Sequence, residues 1–208
     1  MIRLSAFSFW LLVAALALVV GVAFLLGGSG STADRAILIA AQVDALVAPA
    51  RIVTRFGDWW AVLLAGAAFA AWLLIRRRYR DAALLAILLV SERLVVAGLK
   101  VGFARDRPDP LGHLDAVHTM AFPSGHSANA MTLGLGVALV LTAPGRGRPA
   151  AVAAGLLFAA LVGGSRMVLG VHWPSDVAGG WAFGALWTLL LVRASRGWVS
   201  GAERPPAA

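Results

Sequence analysis

The 208-residue chain is 60% hydrophobic, with 13% charged residues and a mean hydropathy of +0.83. A soluble domain carries about 25% charged residues, so the balance excludes that class. The absence of cysteine rules out disulfides and thiolate metal sites. The net charge of +8 is accounted for by its distribution along a membrane chain and implies no nucleic-acid partner.

Six apolar runs approach or reach the ~17–25 residues that cross a bilayer. They are residues 7–26, 59–75, 82–99, 127–143, 150–171 and 174–192. The first exceeds the ~7–15-residue apolar core of a secretory signal, so it reads as an uncleaved span. The fourth and sixth are short, which fits helices whose first turn belongs to a site. The alternative is that one of them is a buried helix that does not cross.

Residues 32–57 contain no run long enough to cross. Ile37, Ala40, Ala41, Asp44 and Val47 share a helical stripe, and Pro49 is expected to break it. Short interfacial helices are expected here, with an ordinary structured loop as the alternative. The predicted fold is all-α, a six-span transmembrane helix bundle with a short interfacial helical segment between spans one and two. It forms one domain over residues 1–200, and residues 201–208 read as a disordered tail.

Alternating spans put Arg3, Arg76, Arg77, Arg78, Arg80, Arg146, Arg148, Arg193, Arg196 and Arg204 on one side. Arg35, Arg51, Arg55, Lys100, Arg105, Arg107 and Arg166 fall on the other. Positive residues favour cytoplasmic loops. The expected protein therefore sits in a bacterial-type plasma membrane with both termini cytoplasmic, and the second set faces outside. Trp59, Trp60 and Trp173 fall at the outer span ends, where tryptophan is favoured.

Three polar blocks lie on that outer side. Lys100 and Arg107-Pro108 close the third span. Pro123-Ser124-Gly125-His126 opens the fourth. Ser165-Arg166 and His172, with Asp176, join the fifth to the sixth. Two arginines and a lysine suit phosphate oxygens, by fork and by point charge. A helix start with a glycine suits an anion approaching backbone N–H groups. A histidine four residues before a carboxylate suits a nucleophile held in one tautomer. Taken singly, each has a plainer reading. Lys100 and Arg105 are placed to snorkel, Ser124 to cap a helix, and Asp176 to favour a helix dipole. Glu92 and Arg93 lie mid-span, where charge is costly, and point about 100° apart on a helix. His113 and His118 have no metal-ligand spacing and read as loop residues.

The blocks resemble the type 2 phosphatidic acid phosphatase family of membrane lipid phosphate phosphatases. Its pattern is Lys-x6-Arg-Pro, Pro-Ser-Gly-His and Ser-Arg-x5-His-x3-Asp, and all eleven fixed identities are present. The resemblance implies hydrolysis of a lipid phosphate or diphosphate of phosphatidic acid, phosphatidylglycerol phosphate or polyprenyl type, without metal or other cofactor. It implies that His172 is the nucleophile that becomes a phosphohistidine, that Asp176 orients it, and that His126 protonates the leaving oxygen. Lys100, Arg107, Ser124, Gly125, Ser165 and Arg166 would hold the phosphate. The residues alone favour His172 over His126 only through Asp176. The alternative is a non-catalytic lipid-phosphate binding or transport protein with a relict site, although binding alone would need the cations and not the histidines.

Overall fold

The computed structural model describes residues 6–29, 31–109, 112–143 and 145–202, with side chains as far as Ser195. Arg3, Arg204, the side chain of Arg196 and the expected tail from residue 203 lie outside them; residues 201 and 202 close the last helix. The described elements are α1 (Ala6–Leu26), α2 (Thr32–Ala41), α3 (Asp44–Thr54), a 3-10 turn (Arg55–Gly57), α4 (Trp59–Ile75), α5 (Tyr79–Phe103), α6 (Gly125–Leu141), α7 (Gly147–Val168) and α8 (Pro174–Ala202).

Among the described residues, α1, α5, α7 and the Pro174–Ser195 part of α8 are long and apolar enough to cross a membrane. Helices α4 and α6 are apolar but have only 17 residues each. Helices α2 and α3 form a pair bent by 95°.

One expectation for the α2–α3 segment is corrected. The chain breaks at Gln42–Val43, and α3 runs through Pro49. Pro49 is the sixth residue of α3, so it removes only one backbone bond near the start of a helix that α7 supports. The buried face of the pair carries a polar residue. Asp34, Leu38 and Ala50 are buried, while Ile37 is 51% exposed. A polar contact set this register, because Asp34 is the residue that binds α8.

Helix α6 is the centre of the bundle and packs against α4, α5, α7 and α8. It is apolar on all sides because eleven of its residues are buried, leaving no water-facing stripe to be polar. Glycines permit the close approach. A Cβ on Gly134 would stand 2.7 Å from the Gly155 carbonyl oxygen of α7, and one on Gly184 would stand 2.7 Å from the Ala128 oxygen. Small residues at crossings let apolar helices pack by contact where no hydrophobic driving force separates them from lipid.

The two ends of the bundle differ in chemistry. At one, Arg78 donates to the Val140 and Leu141 carbonyls and pairs with Asp81 at 2.7 Å, while Arg148 donates to the Leu139 and Thr142 carbonyls. These arginines satisfy the last carbonyls of α6, which have no partner within the helix. At the other end lie the starts of α4, α6 and α8 and the ends of α1, α5 and α7, and all three polar blocks are there.

Candidate active site

Ala104, at φ 47°, stops α5 by donating its N–H to the Lys100 carbonyl. A left-handed residue reverses the chain at a helix end. Its reversal turns residues 105–107 back over the bundle, where both arginines find partners.

His172 lies in the short α7–α8 link and is 1% exposed. Its Nδ1 faces Asp176 Oδ2 at 3.4 Å, and its Nε2 faces Arg107 Nη1 at 3.2 Å. A guanidinium only donates hydrogen bonds. Nε2 is therefore the bare nitrogen, and the ring proton sits on Nδ1 toward the carboxylate. Burial, then the charges of Arg107 and Lys100, holds the His172 pKa well below the ordinary histidine range. The ring is thus neutral at pH 7, with a lone pair aimed into a cluster of cations.

Arg107 is fixed on three sides. It donates to the Thr119 carbonyl at 2.7 Å, the Val171 carbonyl at 2.6 Å and Thr119 Oγ1 at 3.3 Å. Burial and the nearby Arg166 pull its pKa down to about 10, so it keeps its charge at neutral pH.

Arg166 is 2% exposed at the end of α7. Its Nη1 donates to Thr54 Oγ1 at 2.5 Å and to Asp115 Oδ2 at 2.7 Å. Its Nε is buried with no hydrogen-bond partner. A buried guanidinium N–H without an acceptor is costly, and an anion would satisfy it.

Asp176 accepts from Trp173 N at 2.9 Å through Oδ2 and from Arg105 Nη1 at 2.8 Å through Oδ1. Trp173 stands directly before α8, at the end of the last apolar run as expected, and it is turned into the protein. It is 1% exposed, and its indole N–H reaches the Asp106 carbonyl at 3.2 Å.

His126, in the first turn of α6, meets Asp58 Oδ1 with its Nε2 at 3.1 Å. That hydrogen bond, opposed by burial, lowers the Asp58 pKa. The side-chain amide of Asn129, one turn further along α6, donates from Nδ2 to the Gly57 carbonyl at 3.0 Å and pins the segment that carries Asp58.

The remaining predicted residues divide. Lys100 is buried, donates to the Met120 carbonyl at 2.5 Å and lies against Gly125. Ser124 caps α6 and accepts from Ser127 N at 3.4 Å and Ser127 Oγ at 3.0 Å. A hydroxyl that accepts keeps its own proton to donate. Ser165 lies beside Arg166, but its hydroxyl donates to the Val162 carbonyl of its own helix at 2.6 Å. His113 reaches the Pro108 carbonyl at 2.6 Å, and His118 is exposed.

The family model of the PAP2 superfamily matches residues 81–199. The chain belongs to the PAP2 superfamily. It is 36% identical over 117 residues to phosphatidylglycerophosphatase B of Bacillus subtilis (strain 168), covering 53% of this chain and 56% of that protein. The match thus spans little more than half the length of that relative. The crystal structure of the first transmembrane PAP2 type phosphatidylglycerolphosphate phosphatase from Bacillus subtilis superposes with a TM-score of 0.70 at 28% identity over 94% of each chain. LpxE of Aquifex aeolicus superposes with a TM-score of 0.61 at 25% identity, covering 76% of this chain and 91% of that one. With its long apolar helices, this PAP2 chain is an integral membrane protein.

The PAP2 motifs left four contacting residues unread. Arg105 read as well as a snorkelling cation as a site group, yet it binds Asp176. Asp58 directly precedes α4, makes no side-chain cap bond there and binds His126. Asp115 and Thr54 reach Arg166 from segments with no motif of their own. The charged residues inside a motif block or beside a helix start were the only signal available.

Proposed function

We propose that this PAP2-superfamily protein hydrolyses the phosphate of a membrane lipid phosphate or diphosphate through a phosphohistidine. The observation that carries the reading is the bare Nε2 of a neutral, buried His172, directed at Arg107. Binding alone would not require that tautomer, so the geometry favours turnover over a relict site.

In the proposed reaction the Nε2 lone pair attacks phosphorus and the bond to the lipid oxygen breaks. His126 gives its proton to that oxygen, releasing a lipid alcohol or, from a diphosphate, a lipid monophosphate. Neutral His126 then takes a proton from water. The hydroxide attacks phosphorus, the P–N bond breaks, and inorganic phosphate leaves. Lys100, Arg107 and Arg166, with Ser124 and the backbone around Gly125, hold the equatorial oxygens where charge redistributes. Ser165 joins them only if its hydroxyl turns away from Val162. The residues supply the charge and proton transfers themselves, so no metal is invoked.

The relatives named for phosphatidylglycerophosphate make that lipid the first to test, followed by phosphatidic acid and polyprenyl diphosphate. Purified protein in EDTA should release phosphate from at least one of them, and His172→Ala should abolish release. Full activity in His172→Ala would overturn the nucleophile.

The proposed topology has six spans, cytoplasmic termini and an outward-facing site in a bacterial-type plasma membrane, with α2 and α3 at the outer interface. Its support is the charge asymmetry and the alternation of helix starts and ends at the site. At ~1.5 Å per residue the 17 residues of α4 and α6 reach about 25 Å, close to a ~30 Å hydrocarbon core. A cysteine label at Ser29 should react from outside intact cells and one at Gly147 should not; the reverse pattern would invert the assignment.

A further inference from the structure

Arg105 lies outside the fixed motif positions, yet its guanidinium is among the most heavily partnered groups at the site. Its side chain is 9% exposed. Nη1 donates to Asp176 Oδ1 at 2.8 Å and Ser175 Oγ at 3.0 Å. Nη2 donates to the Ala23 carbonyl at 2.9 Å and to the Phe24 carbonyl. The guanidinium lies 4.5 Å from the Phe122 ring centre and 5.3 Å from that of Phe24.

Each partner has a reason to be there. Ala23 and Phe24 lie in the last turn of α1, whose carbonyls have no partner within the helix. A cation there satisfies them and the helix dipole together. The aromatic faces add cation–π attraction. On the other side, Ser175 Oγ donates to Asp34 Oδ2 at 2.5 Å, Ser175 N donates to Asp34 Oδ1 at 2.9 Å, and Gly28 N donates to Asp34 Oδ2 at 2.6 Å. The start of α8, the end of α1 and the start of α2 are thereby tied around one guanidinium.

We propose that Arg105 is a positioning residue that acts through Asp176, coupling the end of α1 to the orientation of the nucleophile His172. Asp176 has two oxygens with separate duties. Oδ2 faces the His172 ring and the Trp173 N–H, and Oδ1 is taken by Arg105. A carboxylate held at one oxygen by a fixed fork cannot rotate the other away from the imidazole. Outer partners that orient a reacting ligand in this way typically cost about 10- to 100-fold in activity when removed. Helix α1 lies outside the matched residues 81–199, and this relay gives it a part in catalysis beyond anchoring. The inference rests on the proposed His172 chemistry.

The test compares wild type, Arg105→Gln, Asp176→Asn, the double variant and His172→Ala, by steady-state release of phosphate from a lipid phosphate and by thermal midpoint in detergent. Arg105→Gln should lower kcat about 10- to 100-fold and leave KM within about twofold. The double variant should match Asp176→Asn within about threefold, because a residue acting through another adds nothing once that one is gone. Wild-type kcat in Arg105→Gln, a loss confined to KM, or multiplied losses in the double variant would overturn the proposal. Should Arg105→Gln fail to fold because it leaves the buried Asp176 charge unpaired, the double variant removes that charge, and its comparison with Asp176→Asn decides. Activity surviving in His172→Ala would instead overturn the underlying reaction.

Discussion

The carboxylate of Asp58 meets Nε2 of His126 at 3.1 Å across 68 residues of sequence. Each of the two site histidines thus has its own aspartate, and the two pairs differ. His172–Asp176 is local and deeply buried, while Asp58 and His126 are each about one-fifth exposed, Asp58 in the link before α4 and His126 in α6. The buried pair suits a nucleophile that must stay neutral. The more open pair can exchange a proton with water, and the Asp58 carboxylate opposes the burial that lowers the His126 pKa.

From this pairing, Asp58→Asn should lower kcat about tenfold with little change in KM. The alkaline limb of the pH–rate profile should move to lower pH. The carboxylate stabilises the protonated imidazole beside it, so its loss lets the acid lose its proton sooner. An unmoved alkaline limb would remove Asp58 from proton transfer.

His172 also makes stability depend on pH. Its folded pKa lies well below 6.5, mainly through burial. Below pH 6.5 the unfolded chain therefore binds a proton that the folded one does not, and stability falls as pH falls. The full contribution is present above that pH. One proton corresponds to a slope of about 1.4 kcal/mol per pH unit. Thermal midpoints from pH 7 to pH 5 should drop less steeply in His172→Gln than in wild type. Equal slopes would mean that His172 titrates normally in the folded protein.

The helices and the motif residues were legible in the sequence because both are carried by short-range pattern. Apolar runs mark helices, and the second run matched helix Trp59–Ile75 at both ends. Lys100, Arg107, His126, Arg166, His172 and Asp176 stand at helix ends that the fold brings together. The partners were not legible, because Asp58, Thr54 and Asp115 become neighbours of the site only through packing between α3, α4, α6 and α7. The inward face of α2 was not legible for a related reason. A periodicity argument places apolar residues inside, whereas Asp34 was drawn inside by the N–H groups of Gly28 and Ser175. Glu92 stays unexplained by pattern or contact. It is 1% exposed, and its Oε1 has no hydrogen-bond partner.

If Arg166 holds the phosphate as proposed, Asp115 competes with that phosphate for its guanidinium. Its Oδ2 is 2.7 Å from Arg166 Nη1, and its side chain is 25% exposed. A carboxylate beside the anion site weakens anion binding by on the order of 1 kcal/mol, about fivefold in affinity. Asp115→Asn should therefore tighten inhibition by inorganic phosphate about fivefold. Weaker inhibition would show that Asp115 serves to hold the Arg166 fork in place.

Gly125 and Gly180 both lie at the start of α6 or against it, and substitution separates ligand space from packing space. A Cβ on Gly180 would stand 2.5 Å from the Ser124 carbonyl oxygen and 2.9 Å from Ser127 Cβ. Backbone must move to admit it, so Gly180→Ala should lose about 1–3 kcal/mol and loosen the bond between Ser124 N and the Asp176 carbonyl, now 3.0 Å. A Cβ on Gly125 would meet nothing nearer than Lys100 Cε at 3.7 Å, which is ordinary contact. The folded protein alone therefore gives no steric reason for glycine there. Gly125→Ala should keep or slightly raise the thermal midpoint, since Gly125 has no positive φ and alanine at such a position stabilises by about 0.4–1 kcal/mol through the unfolded chain. Inhibition by inorganic phosphate should nevertheless weaken at least about tenfold, because the methyl group would occupy the approach to the N–H groups that open α6. Unchanged inhibition by phosphate in a folded Gly125→Ala protein would place the anion elsewhere in the cluster, on the arginines alone.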